Sequence, residues 1–335
     1  MTEVILPNPR LIRELFENYY CLDSTPDSLI SSHWKYYSQK FNVQFDNEGN
    51  IISLGGIGFG DMLENSSISK ILAYLCHASY FIKLPFKKDL YRMIVKSIHI
   101  CDSMGLYFSF DCFKQVCSLS LIKRNLIANM KNKHLTFLVI GDGYGFLSSF
   151  IKSTFPESTI VLVDLGKTLL FQAFYCQKAH PGCVHYGINQ KNAIDKFKKY
   201  DFIYCPTELL DQISLLKYDI IINIASMQEM NFPTIERYFG FIRKCSNEEN
   251  LFYCCNRERK VLRGGEIIEF EKYPWSPKDR RIIDEFCPWY KYFFSPSFAK
   301  NGPKVFGIRI PFVNFFDGPM RHRLAIMSVS HDSYQ

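Results

Sequence analysis

Three glycines stand at alternate positions in the stretch FLVIGDGYGFLSSF, residues 137–150: Gly141, Gly143 and Gly145. Glycine is needed where a backbone turns through positive φ or passes very close to a ligand. Between an apolar β-type run and an apolar helix-compatible run, such a cluster serves a dinucleotide, an adenosyl cofactor, or a tight turn with nothing in it. A dinucleotide fingerprint, G-x-G-x-x-G, would place its third small residue at Phe146, where a ring obstructs the close approach of helix and strand. That disfavours NAD and leaves an adenosyl cofactor or a turn with nothing in it; on the first, Gly141, Asp142, Gly143, Tyr144 and Gly145 are the expected contacts. Tyr144 suits the amino-acid end of such a ligand; its alternative is packing against the following helix. Asp164 ends the next apolar run, TIVLVD, about 20 residues on, near the spacing at which an acid meets a ribose diol in dinucleotide folds. A carboxylate accepts from both ribose hydroxyls at once.

Further candidates sit where later apolar runs end. Thr207 and Glu208 follow DFIYC (201–205), and Asn223, Ala225 and Ser226 close YDIIINIA (218–225). These are expected to frame the adenine. The continuation, N-I-A-S-M-Q-E-M-N (223–231), holds Gln228 and a single acid, Glu229. Glu229 is the first choice for a general base or a ligand of an acceptor hydroxyl. The alternative is a charge favoured at the N-terminus of the helix that starts near Pro233. His322, in MRHRL, is the second candidate base; otherwise it is a surface residue in a basic cluster. No carboxylate cluster suggests a metal, since Asp219 starts a strand and lies at the wrong end.

The elements that must hold these residues follow from periodicity. LTFLVI (135–140), TIVLVD (159–164), DFIYC, YDIIINIA and NLFYCC (250–255) read as strands, with FLSSFIKSTF, KTLLFQAFYCQKA and TIERYFGFIRKC as helices between them. Alternating strands and helices, with strands apolar on both faces, predict an α/β fold with a parallel sheet covered on both sides. KVFGIRI (304–310) and LAIMSV (324–329) read as a terminal antiparallel pair, and 256–303 as a long insertion. Upstream, ISKILAYLCHASYFIK, DLYRMIVKSIHICDSMG and FKQVCSLSLIKRNLIANM repeat apolar residues at helical spacing, with Asp89 and Asp111 as candidate N-caps. Residues 1–130 are thus expected to form a mainly helical N-terminal region, packed over the cofactor cleft or forming a homodimer. A second Gly-rich stretch, GGIGFGD (55–61), reads as a flexible turn or a lid.

G-x-G-x-G after a first strand, with an acid ending the second, resembles the Rossmann-like (class I) methyltransferases that use S-adenosylmethionine (SAM). The resemblance covers roughly 134–330, so residues 131–335 are expected to be the SAM-binding domain. It implies a mostly parallel sheet with a reversed C-terminal strand, and S-adenosylhomocysteine as product. More narrowly, VIGDGYGFLS, NIASMQEM and CNRERKVLRGGEIIEFEKYPW resemble a group of bacterial sugar O-methyltransferases, which implies a sugar, nucleotide-sugar or glycan acceptor. On that reading Arg257, Arg259 and Lys260 suit phosphate or carboxylate, and Glu258 and Gln228 suit sugar hydroxyls. Tyr273, Trp275, Trp289 and Tyr290 suit an apolar sugar face, or else fill a small core under a long loop.

Composition bounds the alternatives. The chain has 335 residues, 47% hydrophobic, with a formal charge of +7, which permits a basic patch but demands no nucleic acid. The amino-methylating enzymes of nucleic acids carry [DN]PP[YF] where this chain has NIAS. A ribose-methylating or natural-product methyltransferase, and an inactive Rossmann interaction module, remain as alternatives. MTEVILPNPR shows no signal peptide, and the longest apolar stretch (71–82) is too short to span a bilayer. The 12 Cys are scattered without CxxC or zinc spacing, so a reduced cytoplasmic setting is expected.

Overall fold

A computed structural model describes residues 8–21, 25–55, 87–106, 108–126, 130, 133–189, 197–246, 250–294, 301–310, 313–316 and 318–328. Its centre is an eight-stranded sheet. The strands in chain order are β3 (Thr136–Ile140), β4 (Thr159–Asp164), β5 (His185–Gly187), β6 (Phe202–Pro206), β7 (Ile220–Ile224), β8 (Leu251–Arg257), β11 (Arg280–Phe286) and β16 (Met320–Ile326). Across the sheet they run β5-β6-β4-β3-β7-β8-β16-β11. All neighbours are parallel except β16, which is antiparallel to both β8 and β11. A mostly parallel sheet with one reversed strand set in next to its edge is the Rossmann-like methyltransferase arrangement.

The five expected strands each form, because each is apolar on both faces. In β3, Phe137 and Val139 join the core on one side of the sheet while Leu138 and Ile140 join the core on the other. The first core is closed by α3 (Lys87–Met104), α4 (Phe110–Arg124), α5 (Phe146–Thr154) and α6 (Gly166–Ala179), the second by α7 (Phe232–Cys245). Strand order reverses between β3 and β7, which places the crevice expected of such sheets at the carboxyl ends of β3, β4 and β7.

Two expectations at the C-terminal end are corrected. The edge strand paired with β16 is β11, which lies inside the stretch read as an insertion. Its sequence, RRIIDEF, is mostly exposed: an edge strand studded with charge carries little apolar signature. Residues 304–309 instead form a separate small hairpin, β13 (Lys304–Val305) with β14 (Ile308–Arg309), turned at Phe306 with φ 49°. Two further short pairs complete this region: β9 (Arg259–Val261) with β10 (Ile267–Glu269), and β12 (Tyr292–Phe294) with β15 (Val313–Phe315).

The N-terminal region holds α1 (Pro9–Leu15), α2 (Ser32–Tyr37) and a hairpin of β1 (Asn42–Phe45) and β2 (Ile51–Gly55) besides α3 and α4. The expected helix at 68–83 and most of the loop at 55–61 lie outside the described residues. Asp89 falls within the first turn of α3 and Asp111 within that of α4, whose actual cap is Ser109, accepting from Cys112 N at 3.2 Å. α4 is buried along most of its length, in the core on the face of the sheet that carries Phe137 and Val139. Tyr253 of β8 donates to Ser118 Oγ at 3.2 Å, and Trp289 Nε1 donates to the same oxygen at 3.1 Å. No helix among the described residues is long and apolar enough to cross a membrane.

Candidate active site

The glycine turn follows β3 directly. Gly141, Gly143 and Gly145 have φ of 73°, 61° and 90°, a region that costs an L-residue about 1–2 kcal/mol. A Cβ on Gly141 would lie 1.8 Å from Ser226 Oγ, and one on Gly145 would lie 2.9 Å from Cys176 Sγ and 3.0 Å from Gln172 O. The turn therefore brings α5 against α6 and β3 against the end of β7. The Asp142 carboxylate accepts from Leu147 N at 3.0 Å and Ser148 N at 2.7 Å, satisfying two free donors at the start of α5. Burial pushes its carboxyl up to about 7 against those bonds. Tyr144 turns inward: its hydroxyl lies 3.1 Å from Cys112 Sγ of α4, and its ring meets Tyr175 of α6. Both side chains that were expected to face a cofactor are thus engaged in holding the turn.

Asp164 ends β4 beside it. Oδ1 accepts from Leu165 N at 2.8 Å and Oδ2 from Gln172 Nε2 at 2.7 Å. Burial raises this carboxyl to about 7, helped by the charges of Asp142 and Glu229. Asp164, Thr207 and Ser226 line one cavity with Leu165, Met230, Thr234 and Tyr238. Thr207 Oγ1 lies 2.8 Å from Tyr238 Oη. Glu208 faces outward from this group and accepts from Thr25 Oγ1 at 3.4 Å. The opposite wall is Leu29, Ser31 and Trp34, from a segment that sequence reasoning did not connect with the site. About 20 Å³ remains between the walls, room for a single water.

The ends of β3, β7 and β8 are tied by amide side chains. Asn223 Nδ2 donates to Ile140 O at 2.9 Å, and its Oδ1 accepts from Asn256 Nδ2 at 2.8 Å and Met227 N at 3.2 Å. Gln228 N donates to Asn256 Oδ1 at 3.0 Å while Gln228 Oε1 accepts from Arg257 N at 2.8 Å. Parallel strands splay at their ends and leave backbone groups unpaired; Asn223 and Gln228 are occupied with that, both fully or nearly buried. Ala225 is left-handed, with φ 57°, a strain that non-glycine residues hold mainly where the surroundings force it.

Glu229 sits in a short turn after Ser226 and has two nitrogen partners, a lysine ammonium and a histidine ring. Lys260 Nζ lies 2.6 Å from Oε1 and His33 Nε2 3.4 Å from Oε2. Burial works to raise its carboxyl, but His33 and Lys260 together hold it below the usual carboxylate range. His322 is not with it. It is 1% exposed in β16, with Nδ1 3.1 Å from Tyr253 Oη and Nε2 3.4 Å from Glu285 Oε1, and Trp289 edge-on to its ring. As an inward-pointing strand residue it is a core histidine, not a base at the mouth.

The acceptor-side aromatics divide between the two cores. Tyr273 and Trp275 pack on Phe239 of α7, with Trp275 also stacked on Phe252 of β8 at 5.4 Å. Trp289 and Tyr290 are buried on the opposite face. A chain that crosses over the sheet edge must cover both faces there, and these rings do so. Arg257 lies over the Phe316 ring at 4.8 Å, and Glu258 is tied through its backbone to Pro319 and Phe270. Among the described residues no group of three or more His, Cys, Asp or Glu is arranged to hold a metal.

No protein-family model matches the chain, and no curated protein matches it in sequence. Solved structures do match. A cyclopropane synthase from Mycobacterium tuberculosis is 15% identical over 42% of this chain and 42% of its own, with a TM-score of 0.30. An O-methyltransferase family 2 protein from Planctomyces limnophilus is 11% identical over 43% of this chain and 42% of its own, with a TM-score of 0.30. The matches span less than half the length of those two proteins. A SAM-dependent methyltransferase from Anabaena variabilis is 12% identical over 63% of this chain and 83% of its own, with a TM-score of 0.40.

Proposed function

We propose that the chain is a SAM-dependent methyltransferase that methylates a hydroxyl of a sugar or glycan-type acceptor. The observation that carries the cofactor is the pairing of a left-handed glycine turn after β3 with an acid at the end of neighbouring β4, in a sheet with a reversed penultimate strand. Gly141 and Gly143, both at positive φ, turn the chain sharply at the end of β3, and Asp164 offers its carboxylate to a ribose diol. Thr207 and Ser226 line the same cavity, where an adenosyl group would lie.

The sugar acceptor rests on the sequence resemblance. What supports it further is that the three stretches carrying that resemblance meet: Gly141 touches Ser226, Asn223 binds Asn256, Gln228 binds Arg257, and Glu229 binds Lys260. When bound, the cofactor supplies an activated methyl for in-line displacement. The chain's own task is to aim a hydroxyl at it and exclude water. Glu229, held ionised by Lys260 and His33, accepts a hydrogen bond from that hydroxyl and orients it. Arg257, at the end of β8, binds an anionic part of the acceptor.

Calorimetric titration with S-adenosylhomocysteine, with NAD as control, tests the cofactor. Micromolar binding that Asp164→Ala abolishes is expected, followed by methyl transfer from radiolabelled SAM in a screen of nucleotide sugars and glycans. Absence of binding, after a cofactor carried through purification is excluded, overturns the reading in favour of an interaction module. Binding with transfer only to RNA overturns the acceptor.

A further inference from the structure

The two walls of the cleft differ in how firmly they are held. Asp164, Thr207 and Ser226 sit on or directly after strands of the main sheet. The facing residues belong to 27–40, a chain of short helical pieces: Asp27–Leu29, α2 and Ser38–Lys40. None of those three pieces has a buried residue. Beyond them Phe41 is buried, with its ring 4.8 Å from Phe171 of α6, which anchors that end.

Besides Trp34, which packs against the first core, and His33, which meets Glu229, the contacts that hold 27–40 down are hydrogen bonds and a ring contact at its surface. Ser31 Oγ donates to Glu229 O, Asn231 Nδ2 donates to Ser28 O at 2.9 Å, and Thr234 Oγ1 donates to Leu29 O at 3.4 Å. On the other side Ser32 Oγ donates to Glu266 Oε2 at 2.8 Å and accepts from Gly264 N at 2.9 Å. Arg263 lies 3.8 Å over the Tyr36 ring and donates to Tyr37 Oη at 3.3 Å. Water can replace each of these, so the segment can lift at far lower cost than the sheet can deform.

A drug-sized ligand needs a cavity of roughly 300 Å³ or more, whereas Leu29, Ser31 and Trp34 leave about 20 Å³ in front of Asp164. We infer that residues 27–40 form a strap that occludes the adenosyl cofactor's cleft, and that the cofactor enters only when the latches to the β7–α7 turn and the β9–β10 hairpin release. This rests on the SAM reading above. Trp34 is the plug. The apparent affinity is reduced by the fraction of molecules that are closed, so loosening the latches speeds entry and tightens binding.

The test is stopped-flow mixing of the full chain with S-adenosylhomocysteine, followed by tryptophan fluorescence. Trp275 and Trp289 pack in the two cores, so the change on binding belongs to Trp34 and disappears in Trp34→Phe. The double variant Ser32→Ala/Arg263→Ala breaks the hairpin latch outside the cleft. Association about tenfold faster than wild type, with a correspondingly lower Kd, is expected from losing three hydrogen bonds at the weak end of their usual range. Should that variant fail to fold, Trp34→Ala, which removes the plug and leaves the latches, carries the same expectation. Binding at the wild-type rate and affinity in both variants overturns the strap and leaves the SAM reading standing. No binding by wild type but binding by a loosened variant supports both. No binding by any of them overturns the SAM reading, and the strap with it.

Discussion

Gly141 and Ser226 are packed so closely that a single added carbon on the first would overlap the hydroxyl of the second, at 1.8 Å. Gly141→Ala therefore meets two separate penalties. The left-handed backbone costs about 1–2 kcal/mol, and overpacking adds roughly 1–3 kcal/mol. Urea unfolding should show the sum. Adding Ser226→Gly should recover only the overpacking part, since φ at 141 stays positive. Full recovery would mean that the backbone there relaxes.

Asp164 carries a second expectation. Its carboxyl, raised to about 7 by burial, is partly protonated in the free protein at neutral pH, and ribose hydroxyls need the charged form to donate to. Affinity for S-adenosylhomocysteine should be flat above about pH 7.5 and weaken by up to about tenfold per pH unit below 7. Asp164→Asn should bind more weakly at pH 8 and lose the slope. A slope that survives in Asp164→Asn would assign the proton to another group.

Folding stability should respond to pH with two opposite signs. Asp142 and Asp164 have raised folded values, so the native state holds more protons than the unfolded chain between about 4 and 7. These two alone make stability climb as pH falls from 8, but His134, His180 and His185, whose values burial lowers, work the other way below about 6.5. Glu229, Asp279 and Asp284 have lowered values: burial opposes ionisation, and partners including His33, Arg243 and Arg323 outweigh it. Their contribution is present above the ordinary carboxylate range and disappears as pH falls through their folded values. A thermal midpoint that rises from pH 8 towards about 6.5 is expected, with that rise missing in Asp142→Asn/Asp164→Asn.

Glu229 and Lys260 form an ion pair with each side chain about an eighth exposed. Glu229→Ala leaves a largely buried ammonium and should cost about 3 kcal/mol of stability. Lys260→Met on that background should return most of it. If Glu229→Ala were silent in unfolding yet abolished methyl transfer, the pair would be catalytic without being structural.

For the core aromatics the expected signature is stability alone. Trp275→Ala should cost about 3 kcal/mol, and His322→Ala, which leaves Tyr253 Oη with one partner fewer, about 1–2 kcal/mol. Both should bind S-adenosylhomocysteine normally once folded. A loss of affinity without a loss of stability would return them to the site.

The strands, most helices and the glycine turn were legible because each is a local pattern: runs apolar on both faces, helical spacing, and glycines where φ must be positive. β11 was not, since an edge strand with RRIIDEF needs no apolar run and is defined only by its partner β16. Tyr144, Asn223 and Gln228 were read by type, and type does not tell a ligand-facing side chain from one that satisfies a neighbouring strand end. The same holds for His322, Tyr273 and Trp275, whose surroundings come from residues far away in the chain.

By itself the sequence determined an α/β sheet, the place of its glycine turn and the acid beside it, because these follow from short-range spacing and backbone sterics. Only the tertiary structure decided which side chains face the cleft. It set His33 and Lys260 on Glu229, and it laid Leu29, Ser31 and Trp34 across Asp164. Apart from Lys260 and Glu229, 31 positions apart, those contacts join residues some 130 to 200 positions apart, as Ser31 to Glu229 does across 198. No local periodicity encodes such a meeting; it depends on how the two cores are closed.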